Sequence, residues 1–295
     1  MKNNGYTDPG WGFSDDSTII NKIHNQSAEI AIGVDNDGAG DQGLMYGYAT
    51  SETEQFMPAQ LVMAHRIVRE LDNHRKLGKI EYLRPDGKAQ VVLEKSDNKL
   101  LAIKHITVAV PHSEKVDLIT VKKDIISHIL QPLSDDYRLS LPKEIIVNGT
   151  GVWHTPGPVS DVGLTGRKIV VDTYGGAAKV GGGAFSGKDP SKVDRSGAYA
   201  ARYIAKNIVA KGYASRVEVC LAYYIGALNP IIRTIDTFNT ATVSQKVIED
   251  YANNLCDLSV KAILTKFDLK KPIYLPTASY GHFGKNDLPW EFVVS

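Results

Sequence analysis

Cysteine is nearly missing from this chain. Among 295 residues only Cys220 and Cys256 occur, and neither belongs to a C-x-x-C pair. Two isolated thiols exclude a disulfide framework and point to a reducing compartment. Charge of one sign is also scarce: 34 Lys and Arg face 33 Asp and Glu, a net of +1. That excludes a general nucleic-acid or membrane-surface binder, so any basic site must be local. No apolar run approaches the roughly 18 residues of a membrane span. The opening M-K-N-N-G-Y-T-D-P-G lacks the apolar stretch of a signal peptide. A cytoplasmic location is expected, without nucleic-acid or membrane partners. Repeats and low-complexity tracts are absent too.

What is present is globular. Apolar residues make up 43% and charged ones 23%, as in ordinary soluble domains. The length suffices for one large domain or two to three smaller ones. Residues 1–20 carry the turn signals Asp8-Pro9-Gly10 and Gly12, then Ser17-Thr-Ile-Ile, and read as a loop entering a strand. From Glu52 or Thr53 to Lys76, apolar residues Leu61, Ala64, Ile67, Val68 and Leu71 recur at helical spacing, with Pro58 in the first turn. Residues 90–94 and 100–110 predict a hairpin. Residues 116–133 predict a helix that Pro132 ends, and 144–147 a short buried strand. Further helices are expected over 196–211, 243–256 and 258–267, and strands over 216–225 and 230–238. Strand pairs with covering helices give an α+β class, not a doubly wound parallel sheet.

The chemistry concentrates between Gly163 and Ser196, where Arg167, Lys168, Lys179, Lys188, Lys192 and Arg195 stand among glycines and the acids Asp172, Asp189 and Asp194, with Asp161 just before. Glycine lets backbone N–H groups approach a ligand closely, and successive N–H groups make an anion nest. Lysines supply positive charge and carboxylates suit Mg2+, a hard cation. Together they fit a polyphosphate–Mg2+ substrate. Gly182 to Lys188 matches G-x-x-x-x-G-K, but Asp189 replaces Ser or Thr and Pro190 follows where a helix should begin, so a P-loop NTPase is rejected. A glycine-rich surface loop without a ligand is the plain alternative. A second glycine cluster, G-A-G-D-Q-G at 38–43, places Asp41 before an apolar run and reads either as a tight turn or as a ligand wall. Trp153 and His154 lie in an irregular loop, where an indole could stack on a base or fill a gap. His65 and His74 on the first long helix read as packing or surface residues.

Several long motifs carry a resemblance: G-A-G-D-Q-G-L-M-Y-G-Y-A-T at 38–50, R-P-D-x-K at 84–88, G-L-T-G-R-K at 163–168, G-G-G-A-F-S-G-K-D-P-S-K-V-D-R-S at 181–196 and T-A-S-Y-G-H-F-G at 277–284. The chain resembles the methionine adenosyltransferases, or S-adenosylmethionine synthetases, from about Gly5 onward. The resemblance implies S-adenosylmethionine biosynthesis, a part of one-carbon metabolism, from ATP and L-methionine, with hydrolysis of the triphosphate and with Mg2+ and K+ as cofactors. It implies three interleaved subdomains: 1–29 with 157–195 as an incomplete central one, 52–156 as an N-terminal type, and 30–51 with 196–295 as a C-terminal type.

Residue by residue, the resemblance makes Lys88, Arg167, Lys168 and Lys188 the groups that hold the phosphates or assist their departure. Asp86, Trp153, Asp161 and Ala184 join Lys88, Arg167, Lys168 and Lys188 around ATP. Gln26, Asp41, Asp161 and Lys192 face methionine, and Asp194 ligates Mg2+. Residues 26–34 correspond to a mobile lid. Departures are visible as well. N-G-T-G-V-W at 148–153 stands where the family has N-P-T-G-R-F, and Lys179-Val180 replaces Arg-His. The family's His-Pro-Asp-Lys segment and two glutamates have no counterpart in these residues. The expectation is therefore a homo- or hetero-oligomer in which a second chain supplies that segment, or else an inactive homologue that binds nucleotide or regulates a partner.

Overall fold

The computed structural model describes residues 1–25, 27, 37–96 and 99–294. Gln26 and most of the expected lid lie outside the described residues, as do the hairpin residues Asp97 and Asn98. The chain forms two compact units and enters each twice: residues 1–22 with 60–164, and 23–59 with 165–295. The fold is α+β.

The first unit is a three-stranded sheet covered by helices. Strands β2 (Lys88–Ser96) and β3 (Lys99–Ala109) form the expected hairpin, with register shifts after Val92 and Glu94. The short strand β4 (Ile145–Val147) pairs with β3 in parallel. Helix α1 (Ala59–Lys76) buries Met63, Ile67 and Leu71 against Ile103, Ile106 and Val108. These positions are four residues apart, so one stripe meets the sheet. α1 begins later than its sequence pattern suggests. Thr53 Oγ1 donates to Met57 O at 2.8 Å and accepts from Met57 N at 3.1 Å, while Phe56 takes a positive φ of 56°. That turn occupies the residues the helix would have used. Glu52 Oε2 then accepts from Ala59 N at 3.0 Å, satisfying one of the free N–H groups at the helix start.

Pro132 does not end its helix. Helix α2 (Leu118–Ile125) runs through a π-helical turn at Ile126–Leu130 into α3 (Gln131–Tyr137). A wider turn relieves the clash between a proline ring and the carbonyl four residues back. Residues 17–20 form no strand; two short 3-10 turns at Lys2–Asn4 and Pro9–Trp11 precede them.

The second unit is an antiparallel sheet in the order β1 (Gly43–Thr50), β5 (Arg216–Tyr223), β6 (Ile232–Asp236). Before its long helix comes the one-turn helix α4 (Ile169–Asp172). The long helix, α5 (Val193–Ala210), lies against β1 and β5 and is buried from Val193 to Val209. It can lie this close because Gly47 has no side chain: a Cβ there would stand 2.0 Å from Ala201 C. Helices α6 (Gln245–Leu255) and α7 (Val260–Lys266) complete the layer, capped by Ser244 and Ser259. The C-terminal tail is pinned to α5 by charge. Arg202 Nε and Nη2 donate to Glu291 at 3.0 and 2.9 Å, and Lys206 Nζ donates to Glu291 Oε2 at 2.9 Å. All three residues are buried. No helix among the described residues is long and apolar enough to cross a membrane.

Candidate active site

Several of the expected site residues gather in two clusters, one in each unit. In the first unit the strand end and the loop after β4 build a shelf. Asn148 starts it with φ 49°; its Oδ1 accepts from Val110 N at 2.8 Å and its Nδ2 donates to Val110 O at 3.0 Å, tying the end of β4 back to the β3 side. His112 N donates to Trp153 O, and His154 Nδ1 donates to His112 O, both at 2.9 Å. Arg84 Nη1 donates to His154 O at 2.7 Å, and its fork grips Glu114 at 2.8 and 3.0 Å. The Arg84 hydrogen bond holds the Glu114 carboxyl down at about 2. Burial keeps the His112 imidazole below its ordinary range. Trp153 is thus held through its own carbonyl and through His154, the residue that follows it.

On that shelf Lys88 Nζ donates to Asp161 Oδ2 at 3.0 Å and stands 5.2 Å from the centre of the Trp153 ring. Trp153 Nε1 is satisfied by Thr155 O at 2.8 Å. An aromatic face, an ammonium and a carboxylate therefore meet at one open surface, with more than half of each charged side chain exposed. Asp86 faces its own scaffold, where Oδ2 accepts from Gly157 N at 3.0 Å.

In the second unit the glycine-rich loop folds over the start of α5. Lys188 Nζ bonds to the Asp194 carboxylate and lies 3.3 Å from Asp41 Oδ2. Asp194 fits there because Gly183 has no side chain; a Cβ would stand 2.0 Å from Asp194 Oδ2. Burial opposes the charge on Lys188, but the bonds to Asp194 and Asp41 outweigh it and raise its pKa. Burial raises Asp194 as well, against the pull of Lys188. Two carboxylates share one ammonium, which leaves one negative charge to be matched. Lys192 Nζ lies 3.4 Å from Asp189 Oδ2, and Asp189 Oδ1 accepts from Ser191 N at 2.8 Å. Ala184 packs against Gly166, where a Cβ would be 2.4 Å away.

Some expected residues stand apart. Arg167 and Lys168 are exposed on the turn entering α4, and among the described contacts neither meets the Lys188 cluster. Lys179 is engaged by its neighbours: Nζ donates to Glu218 Oε1 at 2.7 Å and its N–H to Oε2 at 3.0 Å. Arg195 is buried and bonds to Lys188 O at 2.8 Å, so it braces the loop from inside. Ser186, Tyr199 and His282 complete that brace. Residue-by-residue reading missed them, although His282 sits within T-A-S-Y-G-H-F-G and Ser186 within the glycine-rich motif.

Comparison with known proteins agrees with the motifs. Residues 36–153 match the central domain of S-adenosylmethionine synthetase and residues 155–292 match its C-terminal domain. An S-adenosylmethionine synthase of Clostridium tetani (strain Massachusetts / E88) is 45% identical over 304 aligned positions, covering 97% of this chain and 78% of the relative. The chain belongs to the S-adenosylmethionine synthetase family.

Proposed function

We propose that this chain is a methionine adenosyltransferase, joining ATP and L-methionine into S-adenosylmethionine and then hydrolysing the triphosphate to phosphate and pyrophosphate. The observation that carries the reading is the Lys188 ammonium held between Asp41 and Asp194 beneath a glycine-rich loop. In the first step the methionine sulfur gives a lone pair to C5′ of ATP. The C5′–O bond breaks, and its electrons leave with the triphosphate. A thioether has no proton to lose, so no strong base is required. The barrier lies in charge growing on the departing oxygen, and fixed cations stabilise that charge more in the transition state than before it. Lys188 serves this role, assisted by Lys88, Arg167 and Lys168. Trp153 offers its face to adenine beside Asp161, with Asp86 and Ala184 as further ATP-side positions. Asp41, Asp161, Lys192 and Gln26 are assigned to methionine.

The donor set fits Mg2+. Asp194 and Asp41 offer hard oxygens and an unmatched negative charge, and among the described residues no group of three or more His, Cys, Asp or Glu could hold a metal. Mg2+ tolerates so few protein ligands because it keeps waters and binds phosphate oxygens. Asp194 would hold the ion, which when bound would neutralise charge on the triphosphate. K+ is included on the family's account.

An oligomer belongs to the same reading. Leu44, Ala222 and Ile232 lie in one row across the sheet, and Leu44 and Ile232 are exposed. An apolar row on a sheet face suits a second copy or a related chain. The test measures methionine-dependent phosphate release from ATP with Mg2+ and K+, for the chain alone and with a chain bearing a His-Pro-Asp-Lys segment. Turnover in either arrangement supports the proposal, and only the second would make the partner necessary. ATP binding without turnover in both would make the chain a nucleotide-binding or regulatory homologue.

A further inference from the structure

The loop that carries Lys188 is held from behind by a chain of polar contacts ending at His282. Arg195 Nη1 donates to Lys188 O at 2.8 Å. Arg195 Nε donates to Tyr199 Oη at 3.1 Å, and the guanidinium lies 3.9 Å from the centre of the Tyr274 ring. Tyr199 Oη is 2.8 Å from His282 Nδ1, and His282 Nε2 is 3.3 Å from Ser186 Oγ. The backbone of His282 is fixed as well: its N–H donates to Asp172 O at 2.9 Å, and its carbonyl accepts from Trp290 Nε1 at 3.0 Å. Tyr199 stacks on Trp290 with ring centres 3.6 Å apart. His282 is 1% exposed.

One arrangement of the hydrogens gives the buried Tyr199 hydroxyl an acceptor. Were the ring proton on Nδ1, the Tyr199 oxygen would accept from both Arg195 and His282, and its own buried O–H would have no acceptor among the described contacts; donation from that O–H to His282 Nδ1 satisfies it. Nδ1 must then be bare, and the ring proton sits on Nε2, where it donates to Ser186 Oγ. A protonated ring would turn Nδ1 into a donor and leave the buried Tyr199 O–H without an acceptor among the described contacts. Burial, followed by the nearby charges of Arg195 and Lys285, disfavours that form and lowers His282 to about 3.

We infer that His282 is a positioning residue for the phosphate grip: as a neutral Nε2–H imidazole it ties Ser186, on one side of the turn, to the Tyr199–Arg195 brace that holds Lys188 on the other. A phenylalanine would fill the same space but reach neither side. The turn Ser186-Gly187-Lys188 is thereby anchored at both ends, and the direction in which the Lys188 side chain leaves the loop is fixed. The inference rests on the phosphate role proposed for Lys188.

Two measurements on the full chain test it. Histidine 15N NMR at pH 7 is expected to show His282 as the Nε2–H tautomer, unchanged at pH 5; an Nδ1–H tautomer or an imidazolium overturns the assignment. Calorimetric titration with magnesium tripolyphosphate is expected to weaken at least tenfold in K188A. Ser186→Ala and His282→Asn are expected to lose about three- to tenfold, the range of one or two hydrogen bonds near a charge. His282→Gln places an amide N–H near the Nε2 position and is expected to recover part of the loss. S186A changes one hydroxyl and keeps the fold even where a His282 variant does not. If K188A weakens binding while S186A and the His282 variants bind like the parent, His282 is core packing and the inference fails alone. If K188A itself binds like the parent, the phosphate role of Lys188 fails first and takes the inference with it.

Discussion

The ammonium of Lys188 is bonded to the carboxylate of Asp194, six residues further along the chain, with Asp41 Oδ2 3.3 Å from the same nitrogen. Lys188→Ala leaves two acids facing each other in a half-buried site with no cation between them. Like charges brought together out of water push one proton affinity up. The variant is expected to lose about 10²–10³-fold in phosphate release, the range seen when one charge-stabilising group is removed. Its melting temperature should stay close to the parent's, because the cluster lies at the edge of the core. Steady-state phosphate release and a thermal scan together check this; wild-type turnover would remove Lys188 from the mechanism.

Gly183→Ala tests the same cluster from the other side. The added Cβ meets Asp194 Oδ2 at 2.0 Å, and Asp194 is too short to bend away while keeping its bond to Lys188. Displacement of the carboxylate is the expected result. Activity should fall about as far as in an Asp194→Asn variant, with the far-ultraviolet circular dichroism unchanged. Combining G183A with D194N should then cost little more than either alone, since both act on one group. Full additivity would mean that Gly183 matters for a separate reason.

These clusters show which parts of the structure were legible in the residues. The glycine-rich loop stood out because glycine among charges is chemically unusual, and the structure brings two of its charges, Lys188 and Asp194, into contact. Helices α1 and α5 could be read because their apolar residues repeat at helical spacing. The start of α1 could not, since the hydroxyl of Thr53 and a positive φ at Phe56 decide it, and neither has a period. Arg195 and Lys179 looked like phosphate ligands because sequence gives charge and not direction. One points inward to Lys188 O and the other pairs with Glu218, 39 positions away. The Ser186–His282 contact joins positions 96 apart, and no local pattern could announce it.

The buried charges on the C-terminal tail give a stability prediction. Glu291 accepts from both Arg202 and Lys206, and Gly284 N donates to it at 2.8 Å. Burial opposes ionisation of Glu291, yet the two cations outweigh it and keep its pKa low. Glu291→Ala leaves both cations buried and unmatched. Removing one member of a buried ion pair costs about 3–5 kcal/mol. Urea unfolding at pH 7 should show that loss as a lower midpoint with a similar slope. A change below 1 kcal/mol would mean that water enters the cavity and solvates the cations.

His282 also gives the stability a pH dependence with a definite sign. In the unfolded chain its imidazole takes a proton near 6.5, whereas in the folded chain burial delays this to about 3. Between those values the unfolded state binds the extra proton, so stability falls as the pH falls. The stabilising contribution is complete above 6.5 and is lost steadily on acidification towards 3. From pH 7 to pH 5 the loss from this one group is about 2 kcal/mol, at about 1.4 kcal/mol for each unit of pH below 6.5. Arg195 and Lys285 are the charged neighbours acting on the ring. His282→Asn, though less stable at pH 7, should therefore lose about 2 kcal/mol less than the parent between pH 7 and pH 5. Urea midpoints of both proteins at the two pH values measure the difference directly. Equal losses in parent and variant would show that His282 takes up its proton at the ordinary value in the folded chain.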